Sequence, residues 1–205
     1  MKNEILKQVN DYYSGKVIAH GATPGGVDWN SVESQELRYE VLLKVLNADK
    51  NCTLLDFGCG YGGLLDYCIK QQLDVNYTGF DISEPMIAEA VKLHPPSAKV
   101  NWTTSIPDKG FDFIVASGIF NVRLQSGKEE WFTYIIDTLN KLNKLARKGF
   151  SFNILTSYSD QEYMKDYLYY ADPLVIFDFC KKHFSRNVAL LHDYELYEFS
   201  IIVRK

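Results

Sequence analysis

The segment Asp56-Phe57-Gly58-Cys59-Gly60-Tyr61-Gly62-Gly63 constrains this chain more than any other. It ends a short apolar run, Cys52–Phe57, and leads into a helical pattern at about residues 62–71. An apolar run that stops at glycines reads as a buried parallel strand. Glycines after such a strand let the backbone turn sharply and approach a ligand closely. The helix that follows presents free N–H groups, the device by which a parallel sheet holds a nucleotide-like ligand at its carboxyl edge. The turn therefore predicts an α/β chain whose site lies above its first strand.

The rest of the chain keeps the same alternation. Residues 1–48 read as an N-terminal helical cap or lid and 50–205 as the core, in a single domain spanning 1–205. The stretch His20–Trp29 has no periodicity and reads as a loop. Asn30 is placed to cap the next helix, with Glu33 at the capping-box position and Leu37, Val41, Leu42, Val45 and Leu46 as its apolar stripe. Tyr77–Asp81 gives a second strand, and Ser83-Glu84-Pro85 starts a helix with Ser83 as cap. Strands are expected at 98–103, Phe111–Ser117 and Gly149–Thr156, with a helix over 128–146 and another from Asp172-Pro173 to about His183. Val188–His192 and Leu196–Val203, joined by Asp193-Tyr194-Glu195, form two strands in direct succession, an antiparallel hairpin. The expected fold is α/β: a doubly wound seven-stranded sheet, mostly parallel, with a C-terminal antiparallel β-hairpin and an N-terminal helical cap.

Composition closes off several classes. A net charge of −4 and a pI near 5.6 argue against nucleic acid as a partner, since that affinity comes largely from Lys and Arg on phosphates. No apolar run approaches about 18 residues and the N-terminus has no signal-like apolar region, so no membrane span is expected and the cytoplasm is the expected location. Cys52, Cys59, Cys68 and Cys180 contain no C-x-x-C pair and read as reduced, buried hydrophobes. The four histidines lack the i, i+4 spacing of a metal pair, and no metal is expected.

The glycine spacing alone leaves the ligand open, because Gly58, Gly60 and Gly63 also satisfy the G-x-G-x-x-G pattern of NAD enzymes. Asp56 stands two residues before Gly58, where a carboxylate would repel a pyrophosphate but attract a sulfonium and an ammonium. Asp81 ends the second strand, where its two oxygens can accept from both hydroxyls of a ribose, a feature common to both cofactor types. Asp56-Phe57-Gly58-Cys59-Gly60-Tyr61-Gly62 resembles the first motif of class I S-adenosylmethionine-dependent methyltransferases. Gly79-Phe80-Asp81-Ile82-Ser83-Glu84-Pro85-Met86 is similar to their second motif, and Phe111-Asp112-Phe113-Ile114-Val115-Ala116-Ser117-Gly118 to their fourth-strand motif. The resemblance covers about residues 50–155, the hairpin extends it to the C-terminus, and it implies a Rossmann-like sheet with S-adenosylmethionine as cofactor. It implies further that Gly58 and Gly60 pack on the methionyl part, that Asp81 holds the ribose, and that Ile82 and Met86 flank the adenine, with Asp56 and Cys59 also among the expected cofactor-binding residues. Ser117 would sit beside the methionyl group. Where many members carry an Asp for the adenine amino group this chain has Thr103-Thr104-Ser105-Ile106, so Thr104, Ser105 or a backbone group takes that place.

The acceptor is less constrained. Arg38, which shares a helix face with Gln35, reads either as a bidentate partner of the methionyl carboxylate or as a solvated surface Arg, and Trp29 either as a cover for the pocket or as core packing. Tyr158 to Tyr170, with Tyr163, Tyr167 and Tyr169, reads either as a second wall at the carboxyl edge or as a simple amphipathic helix. His20, His192 and Tyr163 are the candidate bases. Ser117-Gly118-Ile119-Phe120-Asn121 stands where the amino-methylating nucleic-acid enzymes carry an Asn/Asp-Pro-Pro-aromatic run, which argues against that class. Residues 26–31 and 116–121 more loosely resemble stand-alone bacterial methyltransferases of surface-polysaccharide and metabolite pathways. That likeness implies a small polar acceptor, a sugar or a phosphorylated or phosphoramidate precursor, and admits an O-methylation in capsule biosynthesis. An RNA or protein methyltransferase, an NAD-dependent oxidoreductase and a non-catalytic S-adenosylmethionine-binding module remain open, as does the oligomeric state.

Overall fold

A computed structural model describes residues 2–23, 26 and 31–205. Seven strands form one sheet in the order β3-β2-β1-β4-β5-β7-β6. They are β1 (Cys52–Phe57), β2 (Val75–Phe80), β3 (Val100–Thr103), β4 (Phe111–Ala116), β5 (Ala146–Leu155), β6 (Asn187–Leu191) and β7 (Glu198–Arg204). β1 to β5 pair in parallel, while β7 runs antiparallel between β5 and β6. This is the mixed sheet with a terminal hairpin that the alternation and the resemblance imply. The chain order reverses at β1, between β2 and β4, so the glycine turn opens at the switch point where ligands of open α/β sheets sit.

The strands are legible because their faces separate cleanly. Phe113 and Val115 of β4 enter one apolar cluster with Leu42, Leu64 and Tyr77, whereas Ile114 and Ala116 enter the other with Trp131, Ile135 and Phe150. A strand buried on both faces needs an unbroken apolar run, and β4 has one. The first face carries α2 (Val32–Leu43) and α3 (Gly63–Lys70), and the second α5 (Lys128–Leu145) and α6 (Pro173–His183). All four cysteines are buried and free.

Caps set the helix starts. Ser83 Oγ accepts the Met86 N–H and begins α4 (Glu84–Leu93), and Asp172 Oδ1 accepts from Leu174 and Val175 at the start of α6. The cap expected at Asn30 is provided one residue later by Ser31, whose Oγ accepts the Ser34 N–H at 3.1 Å; Asn30 itself lies outside the described residues. The stretch Tyr158–Tyr170 is not an amphipathic helix; it is irregular apart from a short 3₁₀ turn at Gln161–Tyr163. Arg123 holds it down, donating from Nε to the Leu168 carbonyl at 3.2 Å and from Nη2 to that of Asp166.

The link from β3 to β4, residues 104–110, contains no helix. The sheet face left open beside α5 is covered instead by α1 (Lys2–His20). Ile5 of α1, 4% exposed, belongs to the apolar cluster of Phe57, Phe80, Ile135 and Leu139, and Val9 packs against it. One turn further on, Ser14 Oγ meets Ser83 Oγ at 2.8 Å, which ties α1 to the cap of α4. Among the described residues no helix is long and apolar enough to cross a membrane, and no group of three or more His, Cys, Asp or Glu side chains could hold a metal.

Candidate active site

Three positive φ values shape the turn after β1. Gly58, Gly60 and Gly62 lie at +86°, +54° and +94°. A Cβ at Gly58 would stand 2.3 Å from Ile119 Cγ2, and one at Gly62 would stand 2.6 Å from the Trp102 ring, so neither position accepts a side chain. The Gly58 and Cys59 N–H groups both donate to the Phe80 carbonyl, at 2.7 and 3.0 Å, which presses the turn against the end of β2.

Two carboxylates flank the turn. Asp81, beyond β2, accepts the Gly60 N–H through one oxygen and the Ser83 N–H through the other, each at 2.9 Å. These donors favour the charged carboxylate, yet burial outweighs them and holds the Asp81 carboxyl above the usual range. Asp56, at the end of β1 and 2% exposed, accepts the Tyr77 hydroxyl at 2.6 Å. Burial raises it to about 7, and the neighbouring negative charge of Asp81 acts in the same direction.

The turn forms one wall of a cavity of about 320 Å³, within the range of small-ligand pockets. Asp56, Gly58, Cys59, Gly60, Asp81, Ile82, Met86, Thr104 and Ser117 all line it. Ser117 Oγ is buried there with no hydrogen-bond partner in the protein, which leaves a hydroxyl for a ligand to engage. Ser105 does not line the cavity; Ile106 does.

Arg38 is placed differently from the expectation. Its Nε donates to Glu198 Oε2 at 2.8 Å and Nη1 to the Ser34 carbonyl at 2.7 Å, and the residue does not line the cavity. Residues three and four apart both neighbour Gln35 on α2, and the sequence could not say which of them follows it inward. It is Tyr39 that lines the cavity with Gln35, while Arg38 turns to Glu198 at the start of the interior strand β7. Gln35 Oε1 accepts the Tyr61 hydroxyl at 3.0 Å, joining α2 to the glycine turn.

The candidate bases lie elsewhere. His20 is exposed at the end of α1, and His192 is exposed with its ring 6.0 Å from that of Tyr158. Tyr163 is 57% exposed and packs on Tyr197 at 5.8 Å. None of the three lines the cavity, and neither do Tyr158, Tyr167, Tyr169 and Tyr170. The expected tyrosine wall is an exposed loop because its backbone is bound to Arg123 and Asn121, not folded back over the site. Trp29 lies outside the described residues.

Two walls add residues beyond the expected set, one of them within the 1–48 cap. Leu6, Val9, Asn10 and Tyr13 of α1 line the cavity at i, i+3, i+4 and i+7, and Tyr134, Thr138 and Lys141 of α5 at i, i+4 and i+7. Each set is one helical face. The available signal was the apolar spacing of Leu6, Val9 and Tyr13, diluted by the polar residues between them.

Comparison with known proteins accords with this geometry. The model of a methyltransferase domain (Methyltransf_12) matches residues 55–149. The Mycobacterium tuberculosis (strain ATCC 25618 / H37Rv) protein named "Putative methyltransferase Rv1506c" is 49% identical over 164 residues, 80% of this chain and 99% of that protein. Among solved structures, magnesium protoporphyrin IX methyltransferase from Synechocystis PCC 6803 with bound S-adenosylmethionine is similar at a TM-score of 0.67 and 17% identity, covering 98% of this chain and 97% of that one. The [4+2]-cyclase SpnF shares the fold at a TM-score of 0.63 and 13% identity, covering 91% of this chain and 74% of that one. Since one fold carries both activities, sequence identity and not shape decides the family. It also resolves the choice the glycine spacing left open between a dinucleotide and a sulfonium nucleoside. The chain belongs to the S-adenosylmethionine-dependent methyltransferases of class I fold.

Proposed function

We propose that this methyltransferase moves the methyl group of S-adenosylmethionine to a small polar metabolite bound in the cavity beside the glycine turn. The observation that carries this reading is the pair of carboxylates, Asp56 fully and Asp81 partly buried, on the wall of one pocket. At neutral pH the cofactor brings a sulfonium and an ammonium against one carboxylate, so a pocket with shielded negative charge suits it. In this reading Asp81 accepts from the ribose hydroxyls, Ile82 and Met86 flank the adenine, and Thr104 meets its edge. Gly58 and Gly60 pack on the methionyl part, and Ser117 Oγ bonds beside it. Gln35 and Tyr61 replace Arg38 as the polar groups nearest that end.

Methyl transfer from a sulfonium is an in-line displacement, and most of its acceleration comes from alignment in a pocket that excludes water. Leu6, Val9 and Ile119 supply the apolar part of that enclosure. The solved relative acting on magnesium protoporphyrin IX supports a small-molecule acceptor, and the chain's net negative charge supports it over RNA. Within that class a sugar hydroxyl of a surface-polysaccharide precursor is the acceptor we favour.

Release of S-adenosylhomocysteine from S-adenosylmethionine, measured over a panel of sugars, nucleotide-sugars and small phosphorylated metabolites, tests the reading. Turnover with a member of the panel is the expected result. Saturable cofactor binding with no release on any member, alongside release on RNA or protein, would overturn it.

A further inference from the structure

Behind the cavity wall lies a chain of buried polar groups that no part of the cofactor reading uses. The Gly118 N–H donates to Asn153 Oδ1 at 2.7 Å, and Asn153 Nδ2 donates to Glu198 Oε1 at 2.8 Å. Glu198 Oε2 in turn accepts Arg38 Nε at 2.8 Å, and Arg38 returns to the backbone of α2 through the Ser34 carbonyl. Asn153 and Glu198 are at most 1% exposed. We propose that Asn153, Glu198 and Arg38 are positioning residues for methyl transfer, a relay that pins the Ser117–Gly118 turn on the cavity wall.

The direction of each bond makes the relay specific. An ionised Glu198 can only accept, so it turns the Asn153 amide with Nδ2 toward itself. That leaves Oδ1 facing Gly118, and a carbonyl oxygen there is what the Gly118 N–H requires. Gly118 itself sits at φ +74° and lines the cavity, next to the unpartnered Ser117 Oγ. One residue on, Ile119 packs against Gly58. A rotation of this turn would therefore displace a ligand hydroxyl and the floor of the glycine turn together. Burying an ion pair is costly, and one that lies against a site wall is better explained by geometry than by stability.

The inference rests on the cofactor lying in this cavity, and the experiment separates the two. Asn153→Asp places a second carboxylate against Glu198. Adding Glu198→Gln restores the bonds of the relay with the carboxylate moved to position 153, since the new amide can donate to the new carboxylate and still accept from Arg38, while the long Tyr194 hydroxyl bond to Glu198 Oε1 is given up and that hydroxyl keeps Ser200. We measure S-adenosylmethionine affinity by calorimetry and the Gly118 amide resonance by ¹⁵N NMR without ligand. The single variant is expected to weaken binding by about tenfold and shift Gly118, and the double variant to return both, affinity to within about threefold. A folded single variant with parent affinity and an unmoved Gly118 would overturn the relay. So would a double variant that stays weak or fails to fold. In the parent, a cofactor titration that leaves Gly58, Gly60 and Gly118 unmoved would overturn the cofactor's placement, and with it the relay's role.

Discussion

Asp81 bonds to two backbone N–H groups, so in the function proposed above its carboxylate is held in place for the ribose. Replacing it with Ala removes a charged acceptor and releases the Gly60 and Ser83 amides. Asp81→Ala is expected to weaken S-adenosylmethionine binding by about 1.5–3 kcal/mol, read by calorimetry; affinity equal to the parent would remove Asp81 from the ribose site. The carboxylates and glycines of the turn were legible because their residue types are restricted by charge and by backbone conformation. Arg38 was not, since its partner Glu198 is 160 positions away along the chain. A partial signal did exist. Asn153 interrupts Phe150-Ser151-Phe152-Asn153-Ile154, and Glu198 opens the next apolar run, so two polar residues fall at buried strand positions and need each other.

At the scale of elements, strands and capped helices were legible and coverage was not. The predicted strands fall within a few residues of the observed ones, since alternation, end glycines and capping residues act over a few neighbours. Which helix covers which face depends on contacts between distant elements. The sequence marked residues 1–48 as a cap without showing that α1 would take the place of a missing β3–β4 helix. Its weight there can be measured. Ile5→Ala is expected to destabilise the protein by about 2–5 kcal/mol in urea unfolding, the cost of emptying a buried site. Ile18→Ala on the same helix, where the side chain is 76% exposed, is expected to change it by less than about 0.5 kcal/mol. Equal effects from the two would show that α1 is held by helix formation and not by its buried face.

For the molecule as a whole, the buried acids couple folding to pH. Asp56 is raised to about 7, above its unfolded value of about 3.9, so between those values the folded state binds more protons than the unfolded one. Stability of the cofactor-free protein is therefore expected to fall as pH rises from about 4 to about 7 and to level off above. Asp81 and Glu198, also raised by burial, act with the same sign. A cationic cofactor favours ionised Asp56, so its stabilising effect should grow over the same interval. Thermal melts from pH 5 to 8, with and without S-adenosylmethionine, check both slopes, and Asp56→Asn should flatten them. The covering of the sheet by α1 also bears on the order of assembly. α1 packs beside α4 and shares an apolar cluster with Phe57, Phe80, Ile135 and Leu139, so its buried face is completed only when residues more than a hundred positions further along the chain have joined the fold. Until then that face is only partly covered, and contacts between such distant segments slow folding. The cavity, walled by Leu6, Val9, Asn10 and Tyr13, is therefore enclosed only once α1 has docked, and a fragment that lacks this helix is expected to leave the pocket open to water.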